Sequence, residues 1–394
     1  MGEVIAALSR ELDGEPPATG LRREGATPSG RRLRLLHVFP SFSIGGSQMR
    51  FASLAAGFGS TVSHRVLALS GHYEAIEIVP PDASVRYLGA PPRGRFPDRL
   101  LAHARMIAEL RPDVLLTYNW GAIEFALANA FVGRPHLHLE DGFGPEEAAR
   151  QLRRRVWGRR LALRRSNVLV PSETLRDLAL ESWGVSPRRL HFVPNGIPAR
   201  RRPSAPLEAL GLELPARRVR LAWVGALRPE KNPVRLLHAF APLRGRATLL
   251  IIGEGPERAR VDAAARELQL GDSIRLLGGR RDARDILMQC DMLALSSDTE
   301  QMPLVVLEAM DAALPVASFD VGDVRRMVSP ENRPFVVPHS TSALSAVITQ
   351  LVEDSQLRRT VGAANRARAT EVYSADAMIR AHRRILDQLS ALAG

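Results

Sequence analysis

The feature that most constrains this chain is an alternation of short apolar runs with stretches of helical period, sustained over most of its length. Runs at 33–39, 62–69, 84–88, 113–118, 136–139, 167–170 and 190–193 have the length and composition of buried strands. Helical patterns at 48–58, 100–110 and 173–182 lie between several of them. A second series opens at 219–225 and continues at 248–253, 274–277, 292–295 and 316–319. Strands separated by covering helices run parallel, because each helix carries the chain back to the same edge. Between the two series, 197–217 holds four prolines and four arginines with no clear apolar period, which reads as a linker. The expectation is an α/β chain of two tandem doubly wound domains facing a cleft. The first spans 33–198, the linker 199–217 and the second 218–394, with a helical C-terminus clearest at 344–353 and 375–392. Residues 1–32, rich in Gly, Pro, Ser, Thr and Arg, read as a disordered leader.

Composition excludes other classes. Of the 394 residues, 45% are hydrophobic and 24% charged, enough apolar material for two cores. No apolar run approaches the length of a membrane span, and no charged start leads into a signal-like apolar segment. The single cysteine, Cys290, forbids an internal disulfide, fits a reducing cytoplasm and reads as core packing. The formal charge is +12, and 146–165 alone, with eight Arg and two Glu, supplies +6 of it. Nucleic acid is a poor partner for that charge, since aromatics are only 5% and no basic recognition motif occurs. At 100° per residue, Leu152, Val156 and Leu163 share one stripe of this segment. Trp157 and Leu161 fall opposite, among Arg150, Arg153, Arg154 and Arg164. An exposed Trp–Leu pair ringed by Arg suits anionic lipid headgroups; the competing reading packs Trp157 under a neighbouring loop.

The chemistry-bearing residues cluster just after strands, where open α/β sheets bind ligands. Gly45-Gly46 opens a helix after the first strand, a possible cradle for a phosphate or sugar. Neither the three-glycine dinucleotide fingerprint nor a Walker pattern occurs. Of 54 basic residues only Lys231 is a lysine; it lies three residues after Arg228, at a predicted helix start where cations oppose the dipole. An anion between them, such as a diphosphate leaving group, would justify the placement; Glu230 as a local partner is the alternative. Further on, Pro303 suits a first helical position, leaving the amides of Leu304 and Val305 free for a phosphate. Glu300 and Glu308 stand on either side of that helix start, one for a sugar and one for a ribose. His136 and His138 point the same way along a strand, so both could be buried and hydrogen-bonded. No Asp-x-Asp, thiolate cluster or helical His spacing suggests a metal.

With these residues in view, the chain resembles the retaining glycosyltransferases of the two-Rossmann (GT-B) fold, family four in particular, from about 33 to about 385. The resemblance rests on Gly45-Gly46, Val193-Pro194-Asn195-Gly196-Ile197, the stretch from Val224 to Asn232 with Arg228 and Lys231, Ile251–Pro256, and Glu300 paired with Glu308. It implies that Arg228 and Lys231 bind the donor diphosphate, Glu308 the ribose hydroxyls and Glu300 the transferred sugar. Gly45 and Gly46 would close over the donor, with Asn195, Leu304 and Val305 in the donor-binding set. His138, or Asp141 as an alternative base, would face the acceptor. One departure is Gln301-Met302-Pro303 where the family commonly has Gly-Phe-Gly, so one backbone N–H is missing. The implied activity is retaining, metal-independent and cofactor-free transfer from a nucleotide sugar to a hydroxyl of a lipid-linked or cell-surface glycan precursor. It would occur in the cytoplasm or on the inner membrane face. A nucleotide-sugar 2-epimerase of the same fold is the main rival, and a basic nucleic-acid-binding protein a weaker one.

Overall fold

A computed structural model describes residues 32–91, 94–143, 145–147, 151–200, 202–215 and 217–391. Residues 1–31 of the expected leader 1–32, and Arg150 of the basic segment, lie outside them. Seven strands make the first sheet: β1 (Leu33–Phe39), β2 (Val62–Ala68), β3 (Val85–Leu88), β4 (Val114–Tyr118), β5 (His136–Leu139), β6 (Asn167–Val170) and β7 (Leu190–Phe192). Six make the second: β8 (Val219–Val224), β9 (Ala247–Ile252), β10 (Ile274–Gly278), β11 (Met292–Leu295), β12 (Val316–Phe319) and β13 (Val336–Val337). The spatial orders are 3-2-1-4-5-6-7 and 10-9-8-11-12-13, parallel throughout. Order therefore reverses between β1 and β4 and between β8 and β11, which opens a crevice at the carboxyl ends of those strands. Only β13, two residues long, has no counterpart in the sequence expectation, because two residues carry no readable alternation.

In the first domain the helices are α1 (Gly46–Phe58), α2 (Phe96–Leu110), α3 (Ile123–Val132), α4 (Arg153–Ala162) and α5 (Glu173–Glu181). The rest are α6 (Pro233–Phe240), α7 (Arg258–Glu267), α8 (Ala283–Leu287), α9 (Leu304–Asp311), α10 (Val324–Met327), α11 (Thr341–Glu353), α12 (Ser355–Val372) and α13 (Ala375–Ala391). Cys290 is buried in the second core, as its apolar flanks suggest.

Two boundaries differ from the expectation. The segment read as a linker is packed onto the second domain. Leu207 and Leu212 are buried in that core, and the amides of Arg200 and Ser204 donate to Asp311 and Asp285. Its prolines interrupt periodicity without preventing burial, which is why composition misled. The second correction concerns α13, which the sequence reading assigns to the second domain. Its Met378, Ile385, Leu386 and Leu389 complete the core of the first, beside Phe51, Leu54 and Phe58 of α1. Amphipathic period shows that a helix has a face to bury, not which sheet will cover it.

The two domains also touch near the crevice. Asp323, after β12, accepts from the amides of Glu173 (2.5 Å) and Thr174 (3.1 Å) and from the Thr174 hydroxyl (2.7 Å). A carboxylate of one domain thereby satisfies orphan donors and the positive dipole end of α5 in the other.

Candidate functional site

Each switch point contributes one loop. After β1, Gly45 is the extended N-cap of α1, and a Cβ on Gly46 would come 4.0 Å from Leu304 Cδ1, the first residue of α9. Two helix N-termini, one per domain, thus face each other across the crevice. After β8 the chain is pressed against the loop after β9. Gly253 sits at φ +149, and a Cβ there would lie 1.8 Å from the Gly225 carbonyl oxygen. Only glycine allows that approach, so the sequence motif around Gly253 shapes the turn that presents Arg228 and Lys231.

Lys231 Nζ lies 2.6 Å from Glu300 Oε1, and the Ser297 hydroxyl donates to the same oxygen at 2.7 Å. Arg228 is exposed, with no ion pair among the described residues. Glu230 pairs with neither cation; one of its carboxylate oxygens is buried without a partner among the described residues, so the local-partner alternative is not what forms. Both cations precede α6, Lys231 at the end of a short 3-10 turn, Pro229–Lys231, and Arg228 as the residue before it; the true cap of α6 is Asn232, which accepts from Arg235 N. Pro303 is the N-cap of α9 rather than its first helical residue, so the amides of Leu304 and Val305 open the helix without intrahelical acceptors. A turn further on, burial pushes the Glu308 carboxyl above its ordinary value, only partly offset by Arg284. Its side chain makes no hydrogen bond among the described residues. Arg228, Lys231, Glu300, Leu304, Val305 and Glu308 thus share one wall of the crevice, and Gly45 and Gly46 the other.

The acceptor-side expectation needs correction. His138 is fully buried: Nδ1 lies 2.8 Å from the Thr117 hydroxyl and Nε2 3.4 Å from Glu140 Oε2. His136 shares Thr117, bonds the Ser166 hydroxyl and is pushed down to about 3 by burial. With both ring nitrogens engaged inside the domain, His138 does not face a substrate. Asp141 stands at the crevice instead, but bound to Arg50 at 2.5 and 2.8 Å. Asn195 is buried as well: its oxygen accepts from Arg50 (3.2 Å) and its amide donates to the Met302 carbonyl (3.3 Å). It joins the domains beneath the donor helix, with no free group for a donor.

Arg50 was not singled out by sequence. Its one signal is position, a cation on the α1 stripe otherwise formed by Phe51, Leu54, Ala55 and Phe58. Beside Asp141, a Cβ on Gly142 (φ +152) would lie 3.2 Å from Gln301 Cγ, so this loop abuts the residue that follows Glu300.

Comparisons with known proteins agree with this geometry. Residues 45–196 match the model for a glycosyl transferase 4-like domain, and 211–368 the model for glycosyl transferases group 1. A D-inositol 3-phosphate glycosyltransferase of Kineococcus radiotolerans is 28% identical over 286 residues, 65% of each chain. An exopolysaccharide phosphotransferase of Streptomyces coelicolor is 28% identical over 228 residues, 56% of this chain and 23% of its own. The chain therefore spans less than two-thirds of the length of these two relatives. The crystal structure of Anabaena Alr3699/HepE with UDP and glucose superposes with a TM-score of 0.77 at 18% identity, covering 91% of this chain and 100% of that one. Two parallel sheets with a shared crevice, both family models and the donor-side motifs lead to one conclusion: the chain belongs to the group 1 glycosyltransferases of the GT-B fold.

Proposed function

We propose that the protein transfers a sugar from a nucleotide sugar to a hydroxyl acceptor, with retention at the anomeric carbon and without a divalent ion. The observation that carries this reading is the crevice wall itself. Lys231 is held 2.6 Å from Glu300, exposed Arg228 lies three residues before Lys231, and Glu308, with no hydrogen bond to its side chain among the described residues, lies on α9 after Glu300. A sugar at Glu300, a diphosphate at the cations and the α9 amides, and a ribose at Glu308 fill it in order. As the glycosidic bond breaks, negative charge grows on the diphosphate. Two cations, Lys231 held by Glu300 and exposed Arg228, and a helix N-terminus stabilise that charge where it forms, the role a metal plays elsewhere. The family likeness supports retention, and the UDP-bound neighbour makes uridine diphosphate sugars the first donors to try.

The acceptor side of this reading is a lipid-linked or cell-surface glycan precursor at the inner face of an anionic membrane. No helix among the described residues is long and apolar enough to cross a bilayer, so contact would be peripheral. Support comes from α4. Trp157 and Leu161 are 68% and 71% exposed, and Arg153, Arg154, Arg160, Arg164 and Arg165 are exposed around them. The acids of the segment, Glu146 and Glu147, are engaged by Arg155 and Arg159 on the inner side, so the outer face is cationic. The competing reading of Trp157 packed under a loop does not occur.

Incubation with a panel of nucleotide sugars and a membrane extract tests the main claim. The expected result is acceptor-dependent product whose anomeric configuration by NMR matches the donor. An inverted anomer, or sugar released and epimerised without any acceptor, would refute it.

A further inference from the structure

Two consecutive carboxylates follow β5 and point in opposite directions, and each meets an arginine withdrawn from solvent. Asp141 is gripped by Arg50 of α1, whose side chain is 1% exposed. Glu140 lies 3.1 Å from Arg159 Nε of α4, both fully buried. Burial alone would raise the Glu140 pKa, but Arg159 and His138 hold it below the usual carboxylate range. Arg159 also reaches the far end of the loop. Its guanidinium lies 5.3 Å from the Phe143 ring centroid, and Trp120 and Trp183 flank it at 5.2 and 5.1 Å. In the four-residue loop 140–143 Arg159 thus meets both ends, Glu140 and Phe143, and Arg50 from another helix holds Asp141. Its middle, Gly142, rests on Gln301 beside the Glu300 carboxylate. Arg50 continues through Asn195 to the Met302 carbonyl, two residues before α9 begins.

Stability does not explain such an arrangement. Buried ion pairs contribute little net stability compared with apolar residues of similar size, because desolvation offsets their attraction. What a planar guanidinium supplies is geometry: Arg50 sets both terminal nitrogens on Asp141, and Arg159 turns Nε to Glu140 while its terminal nitrogens meet the buried Glu147. We infer that Arg50 and Arg159 are positioning residues, which hold the loop 140–143 at a fixed distance from the donor sugar and so set where the acceptor hydroxyl must lie. The inference rests on the transfer reading above. Reaction between two bound molecules is steeply sensitive to their separation, and a shift of about 1 Å can lower rate by roughly 100-fold.

Lysine keeps the charge but loses the fork, so Arg50→Lys and Arg159→Lys should each lower kcat for transfer roughly 10- to 100-fold. Nucleotide affinity by calorimetry should stay within about threefold, because neither arginine touches the donor wall. Amide exchange at 141–143 should quicken by about tenfold or more as the loop loosens. A third variant separates positioning from plain folding. Glu140→Gln and Glu147→Gln with Arg159→Met removes the buried arginine together with both buried carboxylates it pairs with, so its Tm should match or exceed that of wild type while kcat stays low. Wild-type kcat in the lysine variants or in this triple variant would overturn the inference, as would unchanged exchange at 141–143. If the wild-type chain transfers sugar from no donor in the panel, the transfer reading falls instead, and the exchange rates alone decide whether the arginines hold the loop.

Discussion

Under the proposed function, Lys231 and Glu308 are residues that would serve the ligand, and Glu308 would do so at some expense to the empty fold. Lys231 is a compact ammonium pinned by Glu300, and Arg in its place would present a wide planar fork to the same carboxylate. Lys231→Ala should lower turnover by roughly 100-fold or more, the scale of one lost stabiliser of developing charge. Turnover within about threefold of wild type would remove Lys231 from the mechanism. Glu308 is raised by burial above its ordinary 4.5. Its ionised form therefore destabilises the ligand-free fold at neutral pH, and that penalty fades as pH falls through the raised value. Glu308→Gln should weaken nucleotide binding, since an amide no longer accepts two hydroxyl hydrogen bonds as a carboxylate does. The same substitution should leave the empty protein as stable as wild type or more so at pH 7–8, with the gain vanishing near pH 4. Calorimetry and melting curves across that range read both effects, and undiminished affinity would take Glu308 out of the site.

Helices in this molecule are two-sided, and the sides do different work. The inner side of α4 carries Arg159 and Ala162, both buried, while the outer side leaves Trp157 and Leu161 in solvent. Exposed apolar groups contribute little to folding, so Trp157→Ser with Leu161→Ser should leave Tm nearly unchanged. The double variant should lose cosedimentation with vesicles containing acidic lipid, which wild type shows at low salt and loses as salt rises. Equal, negligible binding of wild type to neutral and acidic vesicles would leave a soluble acceptor as the better reading. At the start of α1, Gly45 and Gly46 open the helix toward the crevice, yet Arg50, about a turn in, points into the interior. The helix start at the crevice and the Arg50 anchor of loop 140–143 thus belong to one helix.

The whole molecule hides several imidazoles. His64 is pushed down to about 4, and His136 and His382 to about 3, each mainly by burial. Unfolded, they would take up protons near pH 6.5. The folded state binds fewer protons than the unfolded one between that pH and the lowered values, so stability is fully present above about 6.5 and falls as the pH drops. Each contributes about 2 kcal/mol of loss by pH 5, against a typical total of about 5–15 kcal/mol. Tm should therefore fall steeply between pH 7 and 5, and a flat profile would contradict these burials. Domain closure is fixed by contacts of the same scale: the Asp323 cap on α5, the Asn195–Met302 link and the return of α13 to the first core.

Periodic information was enough for the sheets. Twelve of the thirteen strands are readable as apolar runs, because a strand covered on both faces must be apolar along its length. One wall of the crevice was readable too: Arg228, Lys231, Glu300 and Glu308 lie in short stretches after β8 and β11, where local chain order already places them at a switch point. The acceptor side was not. His138 looks like a ligand in one dimension, and only its neighbours Thr117 and Glu140, from β4 and the loop after β5, reveal that it is enclosed. Arg50 meets Asp141 across 91 residues of chain. Leu386 leaves one domain to join the core of the other. A sequence determines which faces must be buried and which residues carry charge; which face meets which, and which charge finds which partner, is decided by packing between segments far apart in the chain.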